Sequence, residues 1–109
     1  MPYFHFTQNN SGGWFDLTDE LTHHVIIEAN TPEQANDILV SLGGYFDGCH
    51  FGVDCDCCGD RWYPLWPDDR GNNMPMIYNQ PVSTRVAGSH LPAGRNAVVH
   101  HMDGRVEWF

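Results

Sequence analysis

The chemistry that stands out first is a cluster of sulfur ligands. All four cysteines of the chain lie in one short, glycine-containing segment: Cys49, Cys55, Cys57 and Cys58. Zn²⁺ favours a tetrahedron of four thiolate or imidazole ligands, and the free energy of binding it becomes folding free energy for the loop that holds it. The pattern therefore predicts a structural Zn²⁺ ion that orders a loop with few apolar residues of its own.

The spacing of the cysteines is compatible with more than one ligand set. The pattern C-x5-C-x-C-C differs from the paired C-x2-C of many zinc sites, and the adjacent Cys57 and Cys58 fit one tetrahedron poorly. His50 or a more distant histidine would then supply the fourth ligand. The same cysteines could also form disulfides or remain as thiols without a metal. A catalytic zinc is disfavoured because four thiolates leave no open position for water.

Three aspartates accompany the cysteines: Asp54, Asp56 and Asp60. Carboxylates this close together could bind calcium or serve a hydrolase. The preferred interpretation is that they are turn residues, or that they accept hydrogen bonds around the metal ligands.

Histidine is abundant, and two pairs of histidines fall on predicted strands. Successive side chains of a strand point to opposite faces of the sheet. If the apolar residues of the strands face the helix, then His5, His24 and one of His100 and His101 face away from it. We single out His5, His24 and His100 as a candidate cluster, which would bind a metal ion or exchange protons with a substrate. The alternative is that they are solvated or hydrogen-bonded strand residues.

An aromatic run follows the cysteines and contains Trp62, Tyr63 and Trp66. Exposed aromatic side chains on an ordered loop make good binding anchors, so we predict that these three residues form a binding surface. The alternative is that the rings pack the metal loop onto the sheet.

The elements that must position these groups begin with a helix over residues 32–42. Thr31 can cap its start, Pro32 suits its first position, and Gln34 completes a capping box. Apolar residues then recur at the helical spacing: Ala35, Ile38, Leu39 and Leu42. Runs of β-prone residues predict strands over residues 3–7, 23–28, 81–87, 96–102 and 105–109.

These elements predict one small α+β domain over residues 1–109. An antiparallel sheet of about four strands carries the helix on one face. The cysteine loop, residues 45–81, is inserted between the helix and a C-terminal hairpin and is stabilised by zinc.

The charge balance restricts the partners. The chain has 14 acidic and 5 basic residues and a formal net charge of −9. Nucleic acid and anionic membrane surfaces attract basic proteins, so both are disfavoured as partners. The acidity fits a basic protein partner, mimicry of DNA, or solubility. The sequence has neither a long apolar run nor a leader-like start, so we expect it to act in the cytoplasm.

Three sequence blocks resemble a known family: residues 1–13 MPYFHFTQNNSGG, residues 45–62 YFDGCHFGVDCDCCGDRW and residues 103–109 DGRVEWF. With the predicted helix, they resemble a family of small uncharacterised proteins of tailed bacteriophages, and the cysteine block is the most specific. The resemblance implies a phage accessory gene acting in the host cytoplasm, where such genes often counter host defence. It carries over no catalytic residues.

The sequence is compatible with three functions, in order of preference. The first is a module that binds a host protein, which the small size and acidic surface favour. The second is a sponge that sequesters a small-molecule or nucleotide signal through histidines, arginines, Trp62 and Trp66. The third is a small metal-dependent hydrolase that uses the histidine cluster. A protein binder captures one partner, a sponge returns its ligand unchanged after denaturation, and a hydrolase turns its substrate over.

Overall fold

Short β-prone runs pair into a sheet at the centre of the protein. The structure, a computed structural model, describes residues 2–9, 15–54, 59–87 and 91–109. The described elements are, in chain order, β1 (Tyr3–Thr7), β2 (His24–Glu28), α1 (Pro32–Ser41), β3 (Met76–Ile77), β4 (Gln80–Pro81), α2 (Val82–Val86), β5 (Ala97–His100) and β6 (Val106–Trp108). They confirm the predicted small α+β fold.

The central sheet is mixed, with the strand order β1-β2-β5-β6. β1 pairs antiparallel with β2, β2 pairs parallel with β5, and β5 pairs antiparallel with β6. The prediction of an antiparallel sheet is therefore wrong for its central pair. Parallel neighbours need a crossover that returns the chain to the same end of the sheet, and the long segment between β2 and β5, which includes α1, provides it.

Helix α1 starts where its capping residues predict. The hydroxyl of Thr31 accepts a hydrogen bond from the backbone N–H of Gln34 at 3.1 Å, and the side-chain oxygen of Gln34 accepts one from the N–H of Asn30 at 2.6 Å. Pro32 occupies the first turn, where a missing N–H costs nothing. Leu42 caps the end, and Gly43 follows with a φ of 109°, a backbone conformation that other residues rarely adopt.

One face of the sheet packs against α1 and forms the larger core, which we call the helix face. Phe4 and Phe6 alternate with polar residues along β1, so both rings point to this face. The buried members of this core are Phe4, Phe6, Leu21, Val25, Ile27, Ala29, Ala35, Leu39, Trp62 and Val98. Residues from the sheet, α1 and the loop therefore share one apolar cluster.

The opposite face, which we call the histidine face, has a smaller apolar core. Its buried members are Ile26, Ile77, Val82, Ala97 and Val99. Two of these come from the β3–β4 hairpin and α2, which lie against this side of the sheet. The predicted fold, by contrast, leaves this face open.

Residues 81–87, predicted as a strand, instead form the end of a hairpin followed by α2. The run has Val82 and Val86 four residues apart, a spacing that satisfies both strand alternation and one face of a helix. Val82 is buried, and Val86 packs against the same cluster. Pro81 stands just before the helix with a φ of −53°, so its ring suits a helix start and interrupts strand pairing.

Candidate functional site

The predicted zinc loop is only partly described. Cys55, Cys57 and Cys58 lie outside the described residues, and so does Asp56. Cys49 is partly buried, and its backbone N–H donates to the carboxylate of Asp60 at 2.9 Å. Within the described residues, no group of three or more histidine, cysteine or acidic side chains is arranged to hold a metal ion.

The base of this loop is held by a buried carboxylate. Asp54 accepts hydrogen bonds from the Tyr45 hydroxyl at 2.6 Å and from the Arg61 backbone N–H at 2.7 Å. The Arg61 guanidinium lies 3.8 Å from Asp54 and 3.2 Å from Asp16. Burial, and then the hydrogen bond to Asp54, raises the pKa of Tyr45, so its hydroxyl keeps the proton that it donates.

This geometry identifies Asp54 as a hydrogen-bond acceptor instead of a solvated turn residue. It joins Tyr45, at the start of the loop, to Arg61, which lies just after the segment that contains the cysteines. Because both charged side chains are buried, each depends on the other for compensation. The segment that carries the cysteines is therefore held at Tyr45 and at Arg61 by contacts that do not involve a metal ion.

The aromatic run divides between core and surface. Trp62 is only 1% exposed and belongs to the core of the helix face, so its predicted place in a binding surface is wrong. Tyr63 is 57% exposed and Trp66 is 77% exposed. In an extended segment neighbouring side chains point in opposite directions, which explains why Trp62 turns inward and Tyr63 outward.

The exposed part of this run has a fixed backbone. Leu65 donates its N–H to the side-chain oxygen of Asn36 at 2.8 Å, and the Asn36 amide donates back to the Leu65 carbonyl at 3.4 Å. A shallow groove of about 280 Å³ is lined by Tyr63, Pro64, Leu65 and Trp66. We call these four residues the aromatic surface.

Two of the predicted histidines meet on the histidine face. His5 Nε2 lies 2.9 Å from His24 Nδ1, and the Thr7 hydroxyl lies 3.0 Å from the same His24 nitrogen. Antiparallel pairing of β1 with β2 sets Thr7 opposite His24, which makes His5 the diagonal neighbour of His24. His23 stacks on His24 with ring centroids 4.1 Å apart, and Phe15 stacks on His23 at 4.4 Å.

These imidazoles are held in the neutral state. Burial, and then the neighbouring His23, lowers the pKa of His5 from 6.5 to about 4 and that of His24 from 6.5 to about 3. Burial, and then Arg85, also lowers the pKa of His23. In the close contact between His5 and His24, one ring nitrogen donates a proton and the other accepts it, as two neutral imidazoles allow.

His100 does not join this pair. In the parallel pairing of β2 with β5, Ile27 lies opposite His100, so both side chains point to the helix face. His100 contacts the backbone carbonyl of Glu20 at 2.8 Å. The other member of its pair, His101, contacts the Tyr3 hydroxyl and the carboxylate of Glu107. The predicted cluster therefore reduces to His5 and His24.

A cleft of about 320 Å³ opens beside His5, and we call it the histidine cleft. Its lining includes His5, Asp69, Arg70, Asn72, Tyr78 and Asn79. The Tyr78 ring stands edge-on to His5, with centroids 5.1 Å apart and planes at 88°. It makes a similar contact with His24 at 6.2 Å.

The sequence pattern does not single out Tyr78. This residue forms, with Asn79, the two-residue turn between β3 and β4, and both residues have positive φ values, 50° and 66°. Such turns favour glycine or asparagine, so Asn79 is the one local signal of the turn. A tyrosine in this conformation is unusual, and it brings an aromatic ring over the two histidines.

Comparison with known proteins gives a family. No curated protein and no solved structure matches the chain at a significant level. Among the described residues, no helix is both long and apolar enough to cross a membrane. The sequence model of one family matches residues 1–109, and the chain therefore belongs to the family described as domain of unknown function DUF7296.

Proposed function

We propose that this chain is a protein-binding module that acts through the aromatic surface. The observation that carries the proposal is the 77% exposure of Trp66 on a backbone fixed by Asn36. Exposed tryptophan and tyrosine side chains lose little conformational entropy on binding and dominate interface energetics. A groove of about 280 Å³ beside them accepts one apolar side chain of a partner.

The charges around this surface define the partner's chemistry. Glu33 and Asp37 are exposed on α1, the helix whose Asn36 holds the aromatic surface, and the exposed Asp68 follows Trp66 in the chain. The chain as a whole has a net charge of −9. The partner is therefore a protein segment with an apolar anchor flanked by lysine or arginine, which the acidic rim attracts. The resemblance to phage proteins supports a host protein in this role.

A structural Zn²⁺ ion bound by Cys49, Cys55, Cys57 and Cys58 is part of the same proposal. The loop that carries these cysteines ends at the polar anchor formed by Asp54 and Arg61, and Trp62 follows it directly. An ion in the loop would add folding free energy next to the aromatic surface. Metal analysis of the purified protein is expected to find about one zinc per chain.

The test compares two exposed tryptophans. Immobilised wild-type protein, Trp66→Ala and Trp108→Ala are used to capture proteins from a bacterial lysate, and captured proteins are then titrated in purified form. Trp108 is 51% exposed on β6 and does not line the groove, which makes it a matched control. We expect one basic partner whose affinity falls about tenfold or more in Trp66→Ala, falls with added salt, and is unchanged in Trp108→Ala. Equal binding by all three proteins would refute the proposed surface.

A further inference from the structure

The arginines of the chain differ in whether a carboxylate lies within ion-pair distance. Three of them have carboxylate partners: Arg61, Arg95 and Arg105. Arg70 and Arg85 have no carboxylate within ion-pair distance among the described residues. In a chain with 14 acidic and 5 basic residues, two arginines left without such a partner are unexpected. Charged side chains that the protein does not pair are available to a ligand.

Arg70 lines the histidine cleft, and Arg85 contacts a residue of its lining. His5 and Tyr78 belong to the same lining as Arg70. The guanidinium carbon of Arg85 lies 5.5 Å from the centroid of the Tyr78 ring. Tyr78, whose side chain is 59% exposed, therefore contacts Arg85 and lines the same cleft as Arg70.

We propose that the histidine cleft binds a small organic phosphate, with the phosphate held by Arg70 and Arg85 and the rest of the ligand against Tyr78. Guanidinium groups match phosphate oxygens in geometry and form charge-assisted hydrogen bonds with them. A volume of about 320 Å³ is at the small end of ligand sites, which fits a monophosphate with one ring or sugar. The side-chain amides of Asn72 and Asn79 add neutral hydrogen-bonding groups.

The negative charges of the protein do not prevent a phosphate from binding in the histidine cleft. The nearest carboxylate in the cleft is Asp69, and one of its oxygens already accepts the backbone N–H of Gly71 at 2.9 Å. Arg70 balances this charge within the lining, and Arg85 beside Tyr78 adds a second positive charge next to the cleft. Charges elsewhere on the surface are screened beyond about 8 Å at physiological ionic strength.

The imidazoles beside this site are sensitive to its charge. The groups that contact or act on His5, His23 and His24 include Thr7, Phe15, Asp69, Tyr78 and Arg85, and the positive charge of Arg85 is one cause of their low pKa values. A bound phosphate would counteract that charge and favour a protonated imidazole.

The backbone at Tyr78 also points to a ligand. Two consecutive residues other than glycine with positive φ store conformational energy, which sequences retain mainly where the side chain has a task. Here the turn directs the Tyr78 ring to the edge of His5 and to the guanidinium of Arg85. This site lies on the histidine face, whereas the aromatic surface is bonded to α1 on the helix face, so the two proposals can fail independently.

The first experiment identifies the chemistry with defined probes. Isothermal titration uses AMP, ribose 5-phosphate and adenosine with the whole chain. We expect AMP and ribose 5-phosphate to bind, with adenosine at least about tenfold weaker, because the arginines act only on the phosphate. Adenosine binding as tightly as AMP, or no binding by either phosphate, would overturn the proposal.

The second experiment locates the site. The double variant Arg70→Gln/Arg85→Gln is compared with Arg95→Gln/Arg105→Gln, which removes the same charge from arginines outside the cleft. We expect a loss of about tenfold or more in AMP affinity for the first and less than about twofold for the second. Equal losses would mean that net charge alone governs binding and would overturn the site.

Discussion

The two faces of the sheet are covered by different chemistry. Among the described residues, the helix face buries ten members of one apolar cluster, including Leu39 and Trp62, whereas the histidine face buries five. The histidine face instead holds three neutral imidazoles and an exposed tyrosine around a cleft. Apolar burial is the main source of stability, and buried polar groups reduce it unless they are fully hydrogen-bonded. The helix face therefore supplies more of the apolar core, and the histidine face holds polar rings around a cleft.

The same contrast appears in the backbone. Where the chain leaves α1 with a positive φ, the residue is Gly43, which adopts this conformation without steric cost. Where the β3–β4 turn needs positive φ, the residues are Tyr78 and Asn79. The end of α1 thus uses the residue that suits a positive φ, whereas the β3–β4 turn places a tyrosine in a conformation that is unfavourable for it.

The largest predicted change in stability comes from removing an aromatic ring from the core of the helix face. Trp62→Ala is expected to lower the free energy of unfolding by about 3–5 kcal/mol, because it removes a buried indole and leaves a cavity. Tyr78→Ala, on the histidine face, is expected to cost about 1 kcal/mol or less because its ring is exposed. Urea unfolding of both variants measures the difference. Similar losses would show that the two faces contribute equally to stability.

The burial of Trp62 could not be predicted from the sequence, whereas the helix could. The helix could be predicted because its caps and apolar spacing are local signals, and Leu39 is buried as that spacing requires. The segment from Trp62 to Trp66 has no periodicity, and which rings turn inward depends on how Asn36 and Arg61 hold the backbone. Those contacts join distant parts of the chain, so no local pattern contains them.

The histidine site is predictable in part for a similar reason. Strand alternation correctly sets His5 and His24 on one face, since that rule needs only the strand assignment. The place of His100 depends on the register of β5 against β2, which is a property of the whole sheet. Tyr78 and Arg85 reach the cleft through the hairpin and α2, whereas the local pattern of residues 81–87 predicts a strand.

The next-largest predicted effect is a dependence of folding stability on pH, which comes from the buried histidines of the histidine face. His5 and His24 have folded-state pKa values of about 4 and about 3, below the ordinary value of 6.5. Between pH 6.5 and 4 the unfolded chain therefore binds protons that the folded chain does not, so stability is full above pH 6.5 and falls as the pH falls. The slope from each histidine is at most about 1.4 kcal/mol per pH unit, reached where its imidazole is protonated in the unfolded chain and neutral in the folded one.

Urea unfolding of wild type and of His5→Gln/His24→Gln across this pH range measures the slope. We expect the double variant to lose most of the dependence, because its amides do not titrate. Any contribution from carboxylates or from cysteine-bound metal is common to both proteins and cancels in the difference. An identical slope in the two proteins would mean that the histidine pair is not held neutral by the fold.

The smallest effect is a gain in stability at the strained turn. Asn79→Gly is expected to raise the free energy of unfolding by about 0.5 kcal/mol, because glycine adopts the observed φ of 66° more readily than asparagine. Gly43→Ala is the control with the opposite expected sign. Its methyl group would lie 3.5 Å from Leu21, which is ordinary van der Waals contact. The expected loss of about 1 kcal/mol in the free energy of unfolding therefore comes from the φ of 109°. If Asn79→Gly destabilises the fold instead, the asparagine side chain stabilises the turn. The difference in backbone strain between the β3–β4 turn and Gly43 is then refuted. If it stabilises the fold while weakening AMP binding, the strain at this turn serves the cleft.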